Sequence, residues 1–109
     1  PLLLGWSLAA LLRVAVGSAT VAITTSASML APVAAATPGT DAALLVVAMG
    51  AGSIFASHVN DGGFWLVKEY FNLTVPETLR TWTVLETILS VMALVLVLLL
   101  DAGLAIWRG

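Results

Sequence analysis

Long apolar runs interrupted by short polar clusters set the pattern of this chain. The first run, from Pro1 to about Ala36, carries Arg13 as its one charge, yet Gly17, Ser18, Thr20, Thr24, Thr25, Ser26 and Ser28 dilute its hydrophobicity. A helix needs about 20 apolar residues, each rising ~1.5 Å, to cross the hydrocarbon core of a bilayer. The run is too long for one such crossing and too short for two. It predicts a re-entrant helical hairpin over residues 1–36, with one arm from about Leu2 to Val16, a tip at Gly17-Ser18-Ala19-Thr20 and a second arm ending near Pro32.

Thr37-Pro38-Gly39-Thr40-Asp41 has the composition of a turn. Ala42 to Ser57 follows without a charge and predicts a helix of about 24 Å. Ala48, Gly52 and Ala56 recur at four-residue spacing and predict a small-residue face on which a neighbouring helix can approach closely. The run then stops at Ser57-His58-Val59-Asn60-Asp61-Gly62-Gly63, and two adjacent glycines are poor helix formers. Phe64 to Phe71 resumes as a short aromatic segment with Lys68 and Glu69, suited to the headgroup level. Residues 37–73 therefore predict a discontinuous transmembrane helix with its polar break at 57–63.

The final segment, 74–109, opens on Thr74-Val75-Pro76-Glu77, a capping-box pattern with proline in the first turn. It predicts a C-terminal transmembrane helix from about Val75 to Ile106, with Trp82 and Trp107 at the two interfaces and no charge between Thr87 and Leu100. Glu86 lies at its early end beside Thr83, Thr87 and Ser90, a polar stripe expected to face protein rather than lipid; the carboxyl is either a proton site or an interfacial group.

Composition supports a membrane solvent: 61% of residues are apolar and 9% charged, against about 25% charged in ordinary soluble domains. The absence of cysteine excludes a disulfide framework and a thiolate metal site. Arg13, Lys68, Arg80 and Arg108 are scattered along the chain, so there is no basic patch for nucleic acid. Lys68 and Arg80 place the connection before the last helix on the cytoplasmic side by the positive-inside rule, which sends the C-terminus outward. The start at Pro1, without a basic leader or cleavage site, predicts that the chain belongs to a longer one.

Polar backbone at membrane depth is tolerated where it faces packed protein or a water-filled cavity, so the break is the candidate functional site. Ser57, His58 and Asp61 are the residue types of a hydrolase triad, but no nucleophile motif such as G-x-S-x-G accompanies them, so no catalytic residue is assigned. One His and one Asp do not make a metal-ligand set, and no cofactor is expected. Thr20, Thr24 and Ser28 share a helical face continuing from the hairpin tip. Their hydroxyls either line a binding site or satisfy one another between packed helices. A helix starting at the tip presents free N–H groups and a positive dipole end suited to a carboxylate. Arg13, about one turn before the tip, either clamps that carboxylate or reaches for the headgroups. His58 is either a hydrogen-bonded structural residue or part of the site. Interrupted hydrophobic segments of this kind mark binding sites in transporters.

GSATVAITTSASMLAP, followed by AGSIFASHVNDGGFWLVKEYFNLTVPETLRTWTVLETILSV, resembles the C-terminal portion of the gluconate permease family of bacterial sugar-acid:proton symporters, and the resemblance runs from Trp6 onward. It implies a larger, multi-pass protein of the bacterial inner membrane, built on two inverted repeats that each contain a re-entrant hairpin and a broken helix. The all-α fold expected here is thus half of an inverted-repeat transporter. By the resemblance Gly17, Ser18, Ala19 and Thr20 form the tip of the second hairpin, where related carboxylate transporters carry Ser-Asn-Thr. Asn is absent here, in keeping with protons rather than sodium as the coupling ion. Substrate contacts fall to Gly17, Ser18, Thr20, Thr24, Asn60 and Arg13, with Asn60 on substrate hydroxyls; His58 or Asp61 carries the proton. The implied partners are a gluconate-like carboxylate, protons, the lipid bilayer and the missing N-terminal repeat, with a homo-oligomer left open. The competing reading is a small helical membrane subunit whose glycines and hydroxyls serve packing alone.

Overall fold

The computed structural model describes residues 1–108, and Gly109, the last residue of the predicted C-terminal segment, lies outside the described residues. All regular structure among the described residues is helical: α1 Leu2–Val16, α2 Ala19–Ala36, α3 Ala42–Gly52, α4 Gly62–Tyr70, α5 Val75–Thr78, a wide π turn Leu79–Thr83, and α6 Val84–Arg108. Two stretches, Ala19–Ala36 and Val75–Trp107, are long and apolar enough to cross a membrane, while α1 and α3 are shorter apolar helices.

Local chemistry explains each boundary. Gly17 ends α1 in the left-handed conformation (φ 81°) and its N–H returns to the Arg13 carbonyl at 2.9 Å. Ser18 caps α2 by accepting from the Val21 N–H at 3.2 Å. The connection is therefore Gly17 and Ser18 alone; Ala19 and Thr20, expected in the tip, already belong to α2. Pro32 lies inside α2, which runs on to Ala36. Its ring removes one hydrogen bond, that to the Ser28 carbonyl, and the Thr37 hydroxyl closes the last turn by donating to the Val33 carbonyl at 2.7 Å.

Asp41 caps α3 through Ala43 N–H and Leu44 N–H at 3.0 and 3.2 Å. α3 stops at Gly52, so the break opens at Ser53 rather than Ser57. Ser53 donates to the Gly50 carbonyl at 2.6 Å, and Ala56 takes a positive φ of 49°. Ala56 consequently leaves the small-residue face predicted for it. At the far side of the break Asp61 caps α4, which takes both Gly62 and Gly63 into its first turn. The predicted glycine interruption is in fact a helix start, where weak helix formers cost little because the interior hydrogen bonds are not yet formed. The capping box is present: Glu77 N–H donates to Thr74 Oγ1 at 3.2 Å and Thr74 N–H to Glu77 Oε1 at 3.0 Å. From there α5, the π turn and α6 run as one continuous stretch.

α1 and α3 pack through their smallest residues. Ala9 and Ala48 are fully buried, and Gly52 sits so close to α1 that a Cβ there would lie 2.3 Å from the Trp6 carbonyl oxygen. Leu2, Leu30, Leu44, Leu45, Met49 and Val97 complete the core around them. α6 is pinned to both helices by one hydroxyl: Ser90 Oγ donates to the Ala51 carbonyl at 2.6 Å and accepts from Trp6 Nε1 at 3.1 Å. The opposite side of α6 exposes Ile88, Met92, Leu96 and Leu99, an apolar face suited to lipid.

Three outcomes follow from this packing. Gly52→Ala forces the α1 and α3 backbones apart and lowers stability by about 1–3 kcal/mol, read as an earlier loss of monodisperse protein on heating. Gly103→Ala, where nothing lies within 4 Å of the added carbon, leaves the melting profile unchanged or higher. Ser90→Ala strands the buried Ala51 carbonyl, while Trp6 Nε1 keeps its bond to the backbone carbonyl of residue 90 at 3.2 Å; the change costs about 1–3 kcal/mol in the same assay.

Candidate functional site

The break between α3 and α4 folds against the C-terminal end of α1. Arg13, in the last turn of α1, is buried with 4% of its side chain exposed, and its Nη2 donates to Asp61 Oδ2 in a salt bridge. A guanidinium removed from water needs an opposite charge within reach, because an isolated buried ion is strongly unfavourable. Asp61 supplies it while capping α4, its Oδ1 accepting the Gly63 N–H at 3.1 Å.

Ser57 is the second centre of the cluster. Its hydroxyl donates to Asp61 Oδ2 and accepts from Trp82 Nε1 at 2.9 Å, and its carbonyl accepts from the Thr83 hydroxyl. The π turn thereby reaches into the break with two consecutive residues. Trp82, the expected interface residue, donates its indole N–H to Ser57. Sequence reasoning weighed Ser57 only as a triad member and missed it as the link between Asp61 and the last helix. The signal was the stripe Thr83, Thr87 and Ser90, of which Thr83 and Ser90 do turn toward the break and α3.

His58 and Asn60 meet the end of α1 from the other side. The carbonyl of Val14, one of the acceptors left open at a helix C-terminus, lies 2.7 Å from Asn60 Nδ2, which donates to it, and 3.2 Å from His58 Nε2. Gly17 packs on the Asn60 backbone so tightly that a Cβ would come within 2.2 Å of the Asn60 oxygen. The N-terminal ends of α2 and α4, each led by a capping residue (Ser18 and Asp61), are thus neighbours. The cap at each takes one first-turn N–H, that of Val21 and that of Gly63, and the positive end of a helix dipole favours negative charge.

Arg13, Gly17, Ser18, His58, Asn60 and Asp61 are brought together in this way. Thr20 and Thr24 stand apart: α2 buries the face of Ala22, Ser26 and Leu30, and Thr20, Thr24 and Ser28 are exposed on the side away from it. Within the cluster Arg13 retains two buried donors, Nε and Nη1, without a hydrogen-bond partner among the described residues. Among the described residues no group of three or more His, Cys, Asp or Glu side chains is arranged to hold a metal ion.

Residues 1–103 match the family described as GntP family permease. The chain is 59% identical over 101 residues to a gluconate permease of Pseudomonas aeruginosa, covering 93% of this chain and 22% of that protein. It is 61% identical over 104 residues to the Gnt-II system L-idonate transporter of Escherichia coli, covering 95% of this chain and 24% of that protein. A high-affinity gluconate transporter of Escherichia coli is 57% identical over 101 residues, covering 93% of this chain and 23% of that protein. No solved structure matches. The chain spans about a quarter of the length of these relatives, which are transporters rather than enzymes. Its helices, its apolar outer faces and its alignment over nearly the whole described length agree: this chain belongs to the GntP family of membrane permeases.

Proposed function

We propose that the chain is the C-terminal part of a multi-pass secondary transporter of the bacterial inner membrane that imports gluconate or a related sugar acid together with protons. The observation that carries this reading is the meeting of the α1–α2 connection with the helix break, joined by the buried Arg13–Asp61 pair. α1 and α3, with 15 and 11 residues, reach about 22 and 16 Å at 1.5 Å per residue, short of the ~30 Å hydrocarbon core. That shortness supports a re-entrant hairpin of α1 and α2 and a discontinuous helix of α3 and α4, placing both ends of the break near mid-membrane.

In this reading the substrate carboxylate is held by the N-terminal ends of α2 and α4 with the free Arg13 donors, while the Thr20 and Thr24 hydroxyls and Asn60 meet sugar hydroxyls. Protonation at the break, on Asp61 or His58, couples the proton to the anion. The exposed hydroxyl face of α2 turns toward the other inverted repeat, which completes the site.

Labelled gluconate uptake into vesicles carrying the complete transporter tests the reading. Accumulation under an inward proton gradient, abolished by a protonophore, is expected; no uptake of gluconate or related sugar acids sinks it. Thr20→Val and Thr24→Val each raise KM about tenfold, the loss of roughly one hydrogen bond's 1.4 kcal/mol, with little change in the amount of folded protein. The double change Asp61→Asn, His58→Gln abolishes gradient-driven accumulation, and a double variant that still concentrates gluconate removes both residues from the coupling role.

A further inference from the structure

We propose that Glu86 is a proton-accepting residue of the same site, competing with the substrate carboxylate for the free donors of Arg13. This rests on the proton-coupled reading above. α6 lies along α1 in the opposite direction: Ser90 meets Trp6, while Thr83, two turns earlier, binds the Ser57 carbonyl, and the Ser57 hydroxyl binds the Asp61 that holds Arg13. Trp6 and Arg13 are two turns apart on one face of α1, and Thr83, Glu86 and Ser90 share one face of the last helix. Glu86 therefore stands between two anchored points and faces the Arg13 end of α1.

Three observations converge there. Glu86 is half-buried, and among the described residues no hydrogen bond holds its carboxyl. It lies within electrostatic reach of both Arg13 and Asp61. Arg13, for its part, keeps Nε and Nη1 buried without acceptors. A guanidinium carries five N–H donors in a planar fork and readily serves two carboxylates.

The charged groups around Glu86 are few. α1 offers Arg13, and the break offers Asp61 and His58, the latter turned to the Val14 carbonyl. α3, which packs on α6, has no ionisable side chain, and on the same helical stretch Arg80 is exposed. One cation thus faces two carboxylates, leaving one negative charge uncompensated. With Glu86 ionised, its charge holds the free side of Arg13 and repels an incoming anion. A proton from the aqueous phase forms an O–H bond on Glu86, neutralises it and releases Arg13 to the substrate carboxylate; the same bond breaks when the proton leaves on the other side. Proton and anion then favour each other's binding, as linkage requires of a symporter.

The test uses the complete transporter in vesicles, with proton-driven accumulation and substrate exchange at equal pH on both sides measured separately. In the native protein exchange weakens about tenfold from about pH 6 to about pH 8, a coupling of ordinary size. Glu86→Gln is expected to keep exchange, flatten its pH profile and lose accumulation about tenfold or more. Glu86→Asp, which retains the carboxyl one methylene further back, keeps accumulation with a displaced pH profile. A native pH profile in either variant overturns the proposal, as does a well-folded Glu86→Gln that loses exchange together with accumulation, since a packing or substrate-binding role is then at work. Absence of any sugar-acid uptake by the native protein is a different result: it removes the transport reading itself.

Discussion

A guanidinium buried in a nearly charge-free helical assembly is the constraint on which the rest of this structure depends. Arg13 cannot stay within the packed end of α1 without a counter-charge, and Asp61 is the residue that meets it. Because Asp61 is also the cap of α4, the ion pair fixes where α4 begins. Because Ser57 shares the same carboxylate oxygen and receives Trp82 and Thr83, it also fixes where the last helix passes. One charge pair therefore aligns the connection between α1 and α2, the break and the last helix.

The segment between α3 and α4 is held for a related reason. Backbone groups freed from helical hydrogen bonds need partners when lipid surrounds the protein. Here the Ser57 carbonyl receives Thr83, the Val59 carbonyl receives Trp65 Nε1 at 2.8 Å, and the Val14 carbonyl at the end of α1 receives Asn60. Close approach makes these bonds possible. Gly52 against Trp6 and Gly17 against Asn60 are positions where one added carbon would separate the backbones. The small residues set the distance, and the polar residues use it.

Polar side chains in this arrangement divide by location. Those between α3 and α4 and at the end of α1 are engaged with one another, whereas Thr20, Thr24 and Ser28 stand on an exposed face of α2.

The residues themselves determined the membrane class, the capping box at Thr74 and Glu77, the stop of α1 at Gly17 and the existence of a polar interruption near Ser57 to Asp61. Each is a local property: hydrophobic run length, a three-residue hydrogen-bond pattern, or a backbone angle that glycine adopts at low cost. The positions where expectation and structure differ are those decided at a distance. α3 ends at Gly52, and the residues after it find partners in α1, where Phe55 meets Trp6, and in the π turn, where Ser57 meets Trp82 and Thr83; Ala56 lies between those contacts, off its predicted face. Trp82 turns inward because Ser57 is there to accept its proton. The pairing of Arg13 with Asp61, 48 residues away, has no trace in spacing or composition, since only packing brings the end of one helix to the start of another and only a low-dielectric interior makes their charges depend on each other.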